Sequence, residues 1–476
     1  MAKVSEIFHL RKTQSELDFV DVRVHTDNLL FVDPFAISQR PDRWSIDCHQ
    51  TVSGFFQRVI DSIRSGNDSE ARELLSHLRE PNETRLGLSR GRPQGAGIGR
   101  LQAEQLYLAL KGSSAVKTGF ITSLEECELM VEGIGFDKLS DITTNIIRGE
   151  LVSYTREQCK LHNIPTENVA LPPIFDPQAM QWAPQYVAVP VVAGCPLLLV
   201  PKAIVRYDPA YQHPKYYRYH VLNYLQLEAL EAGSSLVRTL KNRKRVVYKK
   251  ELAQAFPCTK EFLYQFSKDH PQVLKQYRDE LAKLNLTEKS REIDVDDERA
   301  VAQMLAVALK AIPRGGDSAS NYHRLMIGIV EFLFFPHLIY PRKETEIHEG
   351  RKRIDITMEN GARDGIFWRI SEVRRLPCGT IFFECKNYRT DVGNPELDQL
   401  SGRFSGRRGM VGFLCCRNFE DRALFVQRCI DTFKDDRGLI VPLDDRTIVE
   451  FLDRIRRGER SALDHELSKL VAEVCL

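Results

Sequence analysis

The chain has 476 residues, 43% of them hydrophobic, and a formal net charge of +2. It is long enough for two or more cores, and its bulk charge neither demands nor excludes a polyanionic partner, so any nucleic-acid site would have to be a local patch. Eleven scattered cysteines fit neither a zinc spacing nor a disulfide framework, the N-terminus lacks an apolar signal core, and the most apolar stretch, residues 186–205, is broken by Pro190, Pro196 and Pro201 and charged by Lys202, which together predict a reducing, cytoplasmic setting without a membrane span.

Residues 28–37, "NLLFVDPFAI", read as a strand entering a proline turn. Helical patterning follows in "CHQTVSGFFQRVIDSIRSG" and "SEARELLSHLRE", with Gly66 and Pro81 as stops. A glycine-rich loop, "RGRPQGAGIGR", then opens a helix. Residues 123–165 are densely helical, 165–219 read as strands and turns, and helices return over 220–284. Residues 285–300 are polar and highly charged and read as the main linker. Beyond it helix and strand alternate. Helices are expected over 297–312, 321–335, 395–403 and 421–434, and strands over 339–349, 353–358, 380–387, 410–415 and 439–441, before terminal helices. The chain is therefore expected to be α/β, with an α+β, mostly helical region over 1–290 and a mixed sheet flanked by helices over 291–476.

The stretch "IFFECKNY", residues 381–388, looks like a buried strand yet carries Glu384 and Lys386. Side chains alternate faces along a strand, so Phe382, Glu384 and Lys386 share one face and Ile381, Phe383 and Cys385 the other. An unpaired charge is costly to bury, so that face meets either solvent or something that needs both charges. In "EGRKRIDITMEN", alternation places Arg353, Asp355 and Thr357 on one face and Ile354, Ile356 and Met358 toward the core. If these strands pair, Asp355, Glu384 and Lys386 converge. Upstream, Glu331 sits inside the apolar helix "LMIGIVEFLFF". Two carboxylates and a lysine suit phosphodiester hydrolysis, with oxygen ligands for Mg²⁺ or Mn²⁺ and the Cys385 carbonyl as a further donor. Glu384 with Lys386 alone, or Asp355 alone, would ordinarily be a solvated strand position; the ordered combination with Glu331 is the signal.

Asp355 followed by Glu384-Cys385-Lys386 on a second strand resembles the PD-(D/E)XK restriction-endonuclease-like nuclease superfamily. "GRKRIDI" and "FFECKNY" look most like its type IV restriction and antiphage-defence branch. The resemblance covers roughly residues 300–441. It implies a restriction-endonuclease-like core and a Mg²⁺- or Mn²⁺-dependent nuclease acting on DNA. It also implies metal ligation by Asp355, Glu384 and Cys385, and catalytic roles for Asp355, Glu384 and Lys386, with Glu331 as the helical acid many members carry and Gln399 on the following helix. Ile354 replaces the proline of the motif's name, and Arg403 stands where some branches place an aromatic residue. The long interval between Asp355 and Glu384 predicts an inserted hairpin or short helix. Such a nuclease needs restraint, so a homo-oligomer or a partner defence protein is expected. The rival readings are a non-catalytic nucleic-acid-binding or scaffold protein that keeps the fold, and a repair or recombination nuclease.

Weaker signals surround this set. Arg403, Arg407 and Arg408 in "GRFSGRRGM" are candidate phosphate contacts. "RYDPAYQHPKYYRYH" interleaves tyrosines with basic residues, a pattern that can stack bases but more often marks an interface loop. "KNRKRVVYKK" is the most basic run. "RGRPQGAGIGR" could offer a helix N-terminus to an anion but lacks the ending of a P-loop. Asp141 is expected to cap a helix rather than bind metal. "DNLLFVDPFAI" and "EGIGFDKLSDITTNII" look like segments of the N-terminal halves of bacterial defence-type proteins, which suggests sensing or control.

Overall fold

The structure, a computed structural model, describes residues 2–87, 97–283, 296–347 and 352–475. Most of the expected glycine-rich loop, most of the expected linker and the start of "GRKRIDI" lie outside the described residues. The chain is mixed α/β, with helix predominating.

In the N-terminal region, helix α1 (Arg43–Ser65) begins where Asp42 accepts the Ser45 N–H. It ends at Gly66, whose φ of 78° closes the helix in the left-handed conformation that glycine adopts without a Cβ penalty. Helices α2 (Phe136–Ile146) and α3 (Arg148–His162) follow, then an antiparallel pair, β1 (Glu167–Asp176) and β2 (Gln181–Val189). The strand expected over 28–37 shrinks to Phe31–Val32. Asp33 accepts the Phe35 N–H and Pro34 holds the first helical position, so local capping turns the rest into the helix Pro34–Ser38. In the tyrosine-rich stretch, Tyr211, Tyr216, Tyr217 and Arg206 are buried and serve the core, whereas Tyr207 and Tyr219 are exposed.

The C-terminal region begins with α4 (Glu298–Ala311) and α5 (Ala319–Phe334). Its sheet contains β3 (Leu338–Ile347), β4 (Lys352–Asn360), β5 (Thr380–Lys386), β6 (Val411–Cys416) and β7 (Leu439–Asp444). Spatial order follows chain order: β3, β4 and β5 pair antiparallel, whereas β5, β6 and β7 pair parallel. Parallel neighbours need crossovers. Helices α6 (Asn394–Ser401) and α7 (Arg422–Lys434) supply them, and α8 (Asp445–Arg456) and α9 (Leu463–Cys475) end the chain. The inserted segment between β4 and β5 is helical, with Gly365–Trp368 continuing into the wider turn Arg369–Val373.

Both faces of β5 are covered. Phe383 stacks on Phe413 (5.1 Å) and on Phe334 of α5 (6.0 Å), while Phe382 meets Phe404, just beyond α6, at 5.5 Å. Glu384 therefore does not look into solvent. On α5, every residue from Met326 to Phe334 is buried. A helix apolar all round must be covered all round, and the N-terminal region supplies the second cover. Phe335, Ile339 and Tyr340 join the N-terminal core, and Leu161 joins the C-terminal one. Asp18 ties this junction by accepting from the Tyr154 hydroxyl (2.7 Å) and the Tyr340 N–H (3.1 Å).

Candidate active site at the end of the central strands

The antiparallel register sets Ile356 opposite Phe383, which brings Asp355 to Glu384 and Cys385. Asp355 Oδ2 accepts the Cys385 N–H at 2.8 Å. The next side chain on the Glu384 face, Lys386, places Nζ 2.7 Å from Glu384 Oε1 and donates to Gln399 Oε1 of α6 at 3.1 Å. Asp355, Glu384, Cys385, Lys386 and Gln399 are thus brought together.

Glu384 is almost fully buried. Burial raises its pKa and the nearby Asp355 carboxylate adds to the rise, against the attraction of Lys386 and Arg403. For Lys386, burial alone would lower the pKa, but the charge and hydrogen bond of Glu384 outweigh it and the net shift is upward. A lysine held in this way stays cationic at neutral pH. It can stabilise negative charge or orient a group, but it is a poor proton acceptor.

Two residues of this cluster have roles the motif did not indicate. Arg403, expected to touch nucleic acid, is buried and its Nη1 pairs with Glu384 Oε2. It lies four residues after Gln399, in the turn that follows α6, so the helix brings the glutamine to Lys386 and the turn after it brings the guanidinium to Glu384. His323 of α5 donates from Nε2 to the Cys385 carbonyl at 2.9 Å and lies 3.8 Å from Asp355 Oδ2. The carbonyl can only accept, so Nε2 carries the proton. The sequence signal for His323 is weak: a polar residue near the start of an otherwise apolar helix.

Glu331 is not part of this cluster. It is fully buried and pairs with Lys202 of the N-terminal region at 3.3 Å. Eight residues separate it from His323, roughly 12 Å along the helix axis. The residue on α5 that approaches Asp355 is His323. Arg407 and Arg408 are also displaced from the expected position. The Arg408 carbonyl accepts the Thr380 N–H at the start of β5. Lys386 ends that strand, roughly 20 Å away at 3.3 Å per residue. The basic residues beside Lys386 are instead Arg314, Arg389 and Arg417, which with Tyr388 line a small cleft of about 30 Å³. Asn387 fixes this corner by donating to the Pro313 and Gly315 carbonyls.

Two carboxylates and a backbone carbonyl form a hard-oxygen donor set. The carboxylates are close enough for Asp355 to push Glu384 upward, a repulsion that a bound cation would relieve. The residues present therefore fit Mg²⁺ or Mn²⁺, although both Glu384 oxygens already have cationic neighbours in Lys386 and Arg403. Among the described residues, no group of three or more His, Cys, Asp or Glu side chains is placed to hold a metal ion, so the carbonyl would have to contribute.

Asp137 and Asp141 lie on α2 in the N-terminal region, where Asp141 is an interior position and not a cap. Burial and the neighbouring carboxylates, Asp137 first and then Glu80, Asp27 and Glu83, push Asp141 up to about 8. All eleven cysteines are free thiols, and no helix among the described residues is long and apolar enough to cross a membrane.

Residues 9–212 match a family model described as a domain of unknown function, DUF8370. No curated protein and no solved structure matches the chain. The family match ends before α5, so it does not reach the Asp355 cluster.

Proposed function

We propose that the protein is a divalent-metal-dependent nuclease that hydrolyses DNA phosphodiester bonds. In this reading it is the effector of a bacterial antiphage defence system, acts in the cytoplasm, and is restrained by its N-terminal region, by self-association or by a partner defence protein. The observation that carries the reading is the convergence of Asp355 with Glu384, Cys385 and Lys386 at the end of paired strands. It is the arrangement expected from the resemblance to the PD-(D/E)XK superfamily, and the antiparallel-then-parallel sheet supports the same resemblance.

Asp355, Glu384 and the Cys385 carbonyl would hold the cation. A bound Mg²⁺ or Mn²⁺ supplies polarisation of the scissile phosphate and acidification of water. Lys386 stabilises the negative charge that builds on the phosphate, and Gln399 fixes the ammonium from the helix side. His323 holds the Cys385 carbonyl in place. Arg314 and Arg389 beside the cleft offer charge to the flanking backbone.

The test is plasmid cleavage in Mg²⁺ or Mn²⁺, with EDTA as control. Wild type should cleave, whereas Asp355→Ala and Lys386→Ala should lose the activity by at least about a hundredfold, the scale set by removing one electrostatic stabiliser. Cleavage that survives both substitutions would place the activity elsewhere.

One observation favours the non-catalytic alternative, in which the fold serves as a scaffold: Lys386 and Arg403 already neutralise Glu384. Under that reading nucleic acid binds equally well with and without metal, and Lys386→Ala changes nothing beyond one phosphate contact.

A further inference from the structure

The tyrosine-rich stretch and the most basic run of the sequence, residues 241–250, meet on one surface of the fold. Residues 215–250 hold nine Lys or Arg against two Asp or Glu, a net +7 in a chain whose total is +2, so the rest of the chain is net negative. In the wider turn Tyr217–Val221, Tyr217 is buried and its hydroxyl donates to the Phe256 carbonyl at 2.5 Å, whereas Tyr219 stands 54% exposed. The turn runs into the helix Leu222–Glu231, and the basic hairpin over 238–246 is fastened to that helix. Arg245 donates to the Leu230 carbonyl at 2.9 Å, and Gln226 donates to the Val247 carbonyl at 2.6 Å.

The chain leaving the hairpin returns to Tyr219. Tyr248, 47% exposed, precedes the helix Lys249–Ala255. Lys249 Nζ donates to the Arg218 carbonyl at 2.7 Å and lies 5.8 Å from the centre of the Tyr219 ring. The Arg218 guanidinium lies 5.7 Å from the same centre. Both cations are within the range at which a positive charge is drawn to an aromatic face. Arg245 and Lys249 are occupied with carbonyls and Arg238 with Glu251, whereas Arg218, Lys241, Arg243, Lys244 and Lys250 are exposed. The neighbouring Tyr216 and Tyr217 show that this stretch buries rings where the core uses them. Tyr219 and Tyr248 are left facing water among cations.

We propose that this surface binds single-stranded nucleic acid. Bases stack on Tyr219 and Tyr248, and the phosphates meet Arg218, Lys250 and the cations at the hairpin tip. Exposed rings beside a positive track are what sequence-tolerant binding of a single strand requires, because every base has a π face and the backbone is a chain of phosphates. A duplex keeps its bases stacked on one another and would use the cations alone. The surface lies outside the family match over 9–212 and outside the C-terminal sheet, so the proposal does not rest on the Asp355 cluster.

The test is the fluorescence anisotropy of labelled oligothymidylate, oligouridylate and a DNA duplex on the full chain in EDTA, which keeps metal-dependent cleavage out of the measurement. Saturable binding of a single strand is expected, tighter than that of the duplex and falling as salt rises. The two oligonucleotides distinguish DNA from RNA. Tyr219→Ala/Tyr248→Ala should weaken single-strand binding by at least about tenfold, the scale of lost stacking contacts, with little change for the duplex and an unchanged circular dichroism spectrum. Tyr219→Phe/Tyr248→Phe keeps the rings and should bind like wild type. Lys241→Glu/Lys244→Glu, at the hairpin tip, should weaken both ligands and flatten the salt dependence. The proposal is overturned by an absence of saturable binding, by single-strand affinity unchanged in the tyrosine-to-alanine pair, or by equal weakening of strand and duplex in that pair. It is also overturned if phosphatidylserine vesicles bind more tightly than any nucleic acid and lose that binding in the same pair, which would make the surface a membrane contact.

Discussion

Glu384 meets two cations, and the two act differently. Lys386 is part of the motif and reaches the open side toward Gln399, whereas Arg403 is sealed behind Glu384. Removing a buried ion-pair partner leaves an uncompensated charge and costs about 3–5 kcal/mol. Arg403→Met should therefore lower the stability of the metal-free protein, by less than that figure because Lys386 still pairs with Glu384. The same change removes a positive charge competing for the carboxylate, so the thermal shift produced by Mn²⁺ should be larger than in wild type, by linkage. A smaller shift in the variant would mean that Arg403 positions Glu384 for the cation rather than competing with it. A second residue makes a pH prediction. Asp141 is raised to about 8 in the folded chain from an ordinary value near 4 when unfolded. Between these values the folded state holds the extra proton, so stability falls as pH rises through this window and levels off above about 8. Denaturant midpoints measured across it should decline, and Asp141→Asn should flatten the decline and gain most at the alkaline end. An unchanged slope would show that Asp141 does not carry the effect.

The strands of the C-terminal sheet were legible as elements because their alternation is set by the pleat. Ile356 and Met358 are buried as the pattern requires, and Asp355 and Glu384 meet because both lie on the same face of paired strands. Helix α6 was legible too, which is why Gln399 reaches Lys386. What alternation cannot give is the position of a residue along the strand axis relative to a neighbouring helix. Arg403, Arg407 and Arg408 look equivalent in sequence, yet α6 and the turn after it run back along the sheet. Arg403 stops beside Glu384 and Arg408 reaches the start of β5. Glu331 misled for another reason. A carboxylate in an apolar helix needs a partner, but the sequence does not say on which side, and its partner Lys202 lies more than a hundred residues away. The short strand at Phe31–Val32 shows local chemistry prevailing over pattern, since the cap at Asp33 and Pro34 starts a helix inside an apolar run.

At the scale of the molecule, α5 connects the two cores. One end presents His323 to the Cys385 carbonyl, and farther along Glu331 pairs with Lys202, which also lies over the Phe335 ring at 4.0 Å and donates to the Gln14 carbonyl at 3.4 Å. The ion pair is completely buried and joins residues from different regions, so its loss should be felt by both. Lys202→Met keeps the volume but removes a cation from beside a fully buried carboxylate, and should destabilise by up to about 3–5 kcal/mol. The double variant Lys202→Met/Glu331→Leu removes both charges and should recover most of that loss, because an apolar pair of similar size does not carry the desolvation cost. Urea denaturation of the single and double variants measures both effects. The pairing also makes a kinetic statement about control. If the N-terminal region restrains the proposed nuclease through α5, Lys202→Met should alter the rate of metal-dependent cleavage at a temperature where the variant remains folded, and the double variant should return it toward the wild-type value. A cleavage rate that is the same in all three proteins would separate the two ends of the helix, leaving Lys202–Glu331 as a structural tie between regions and the Asp355 cluster independent of it.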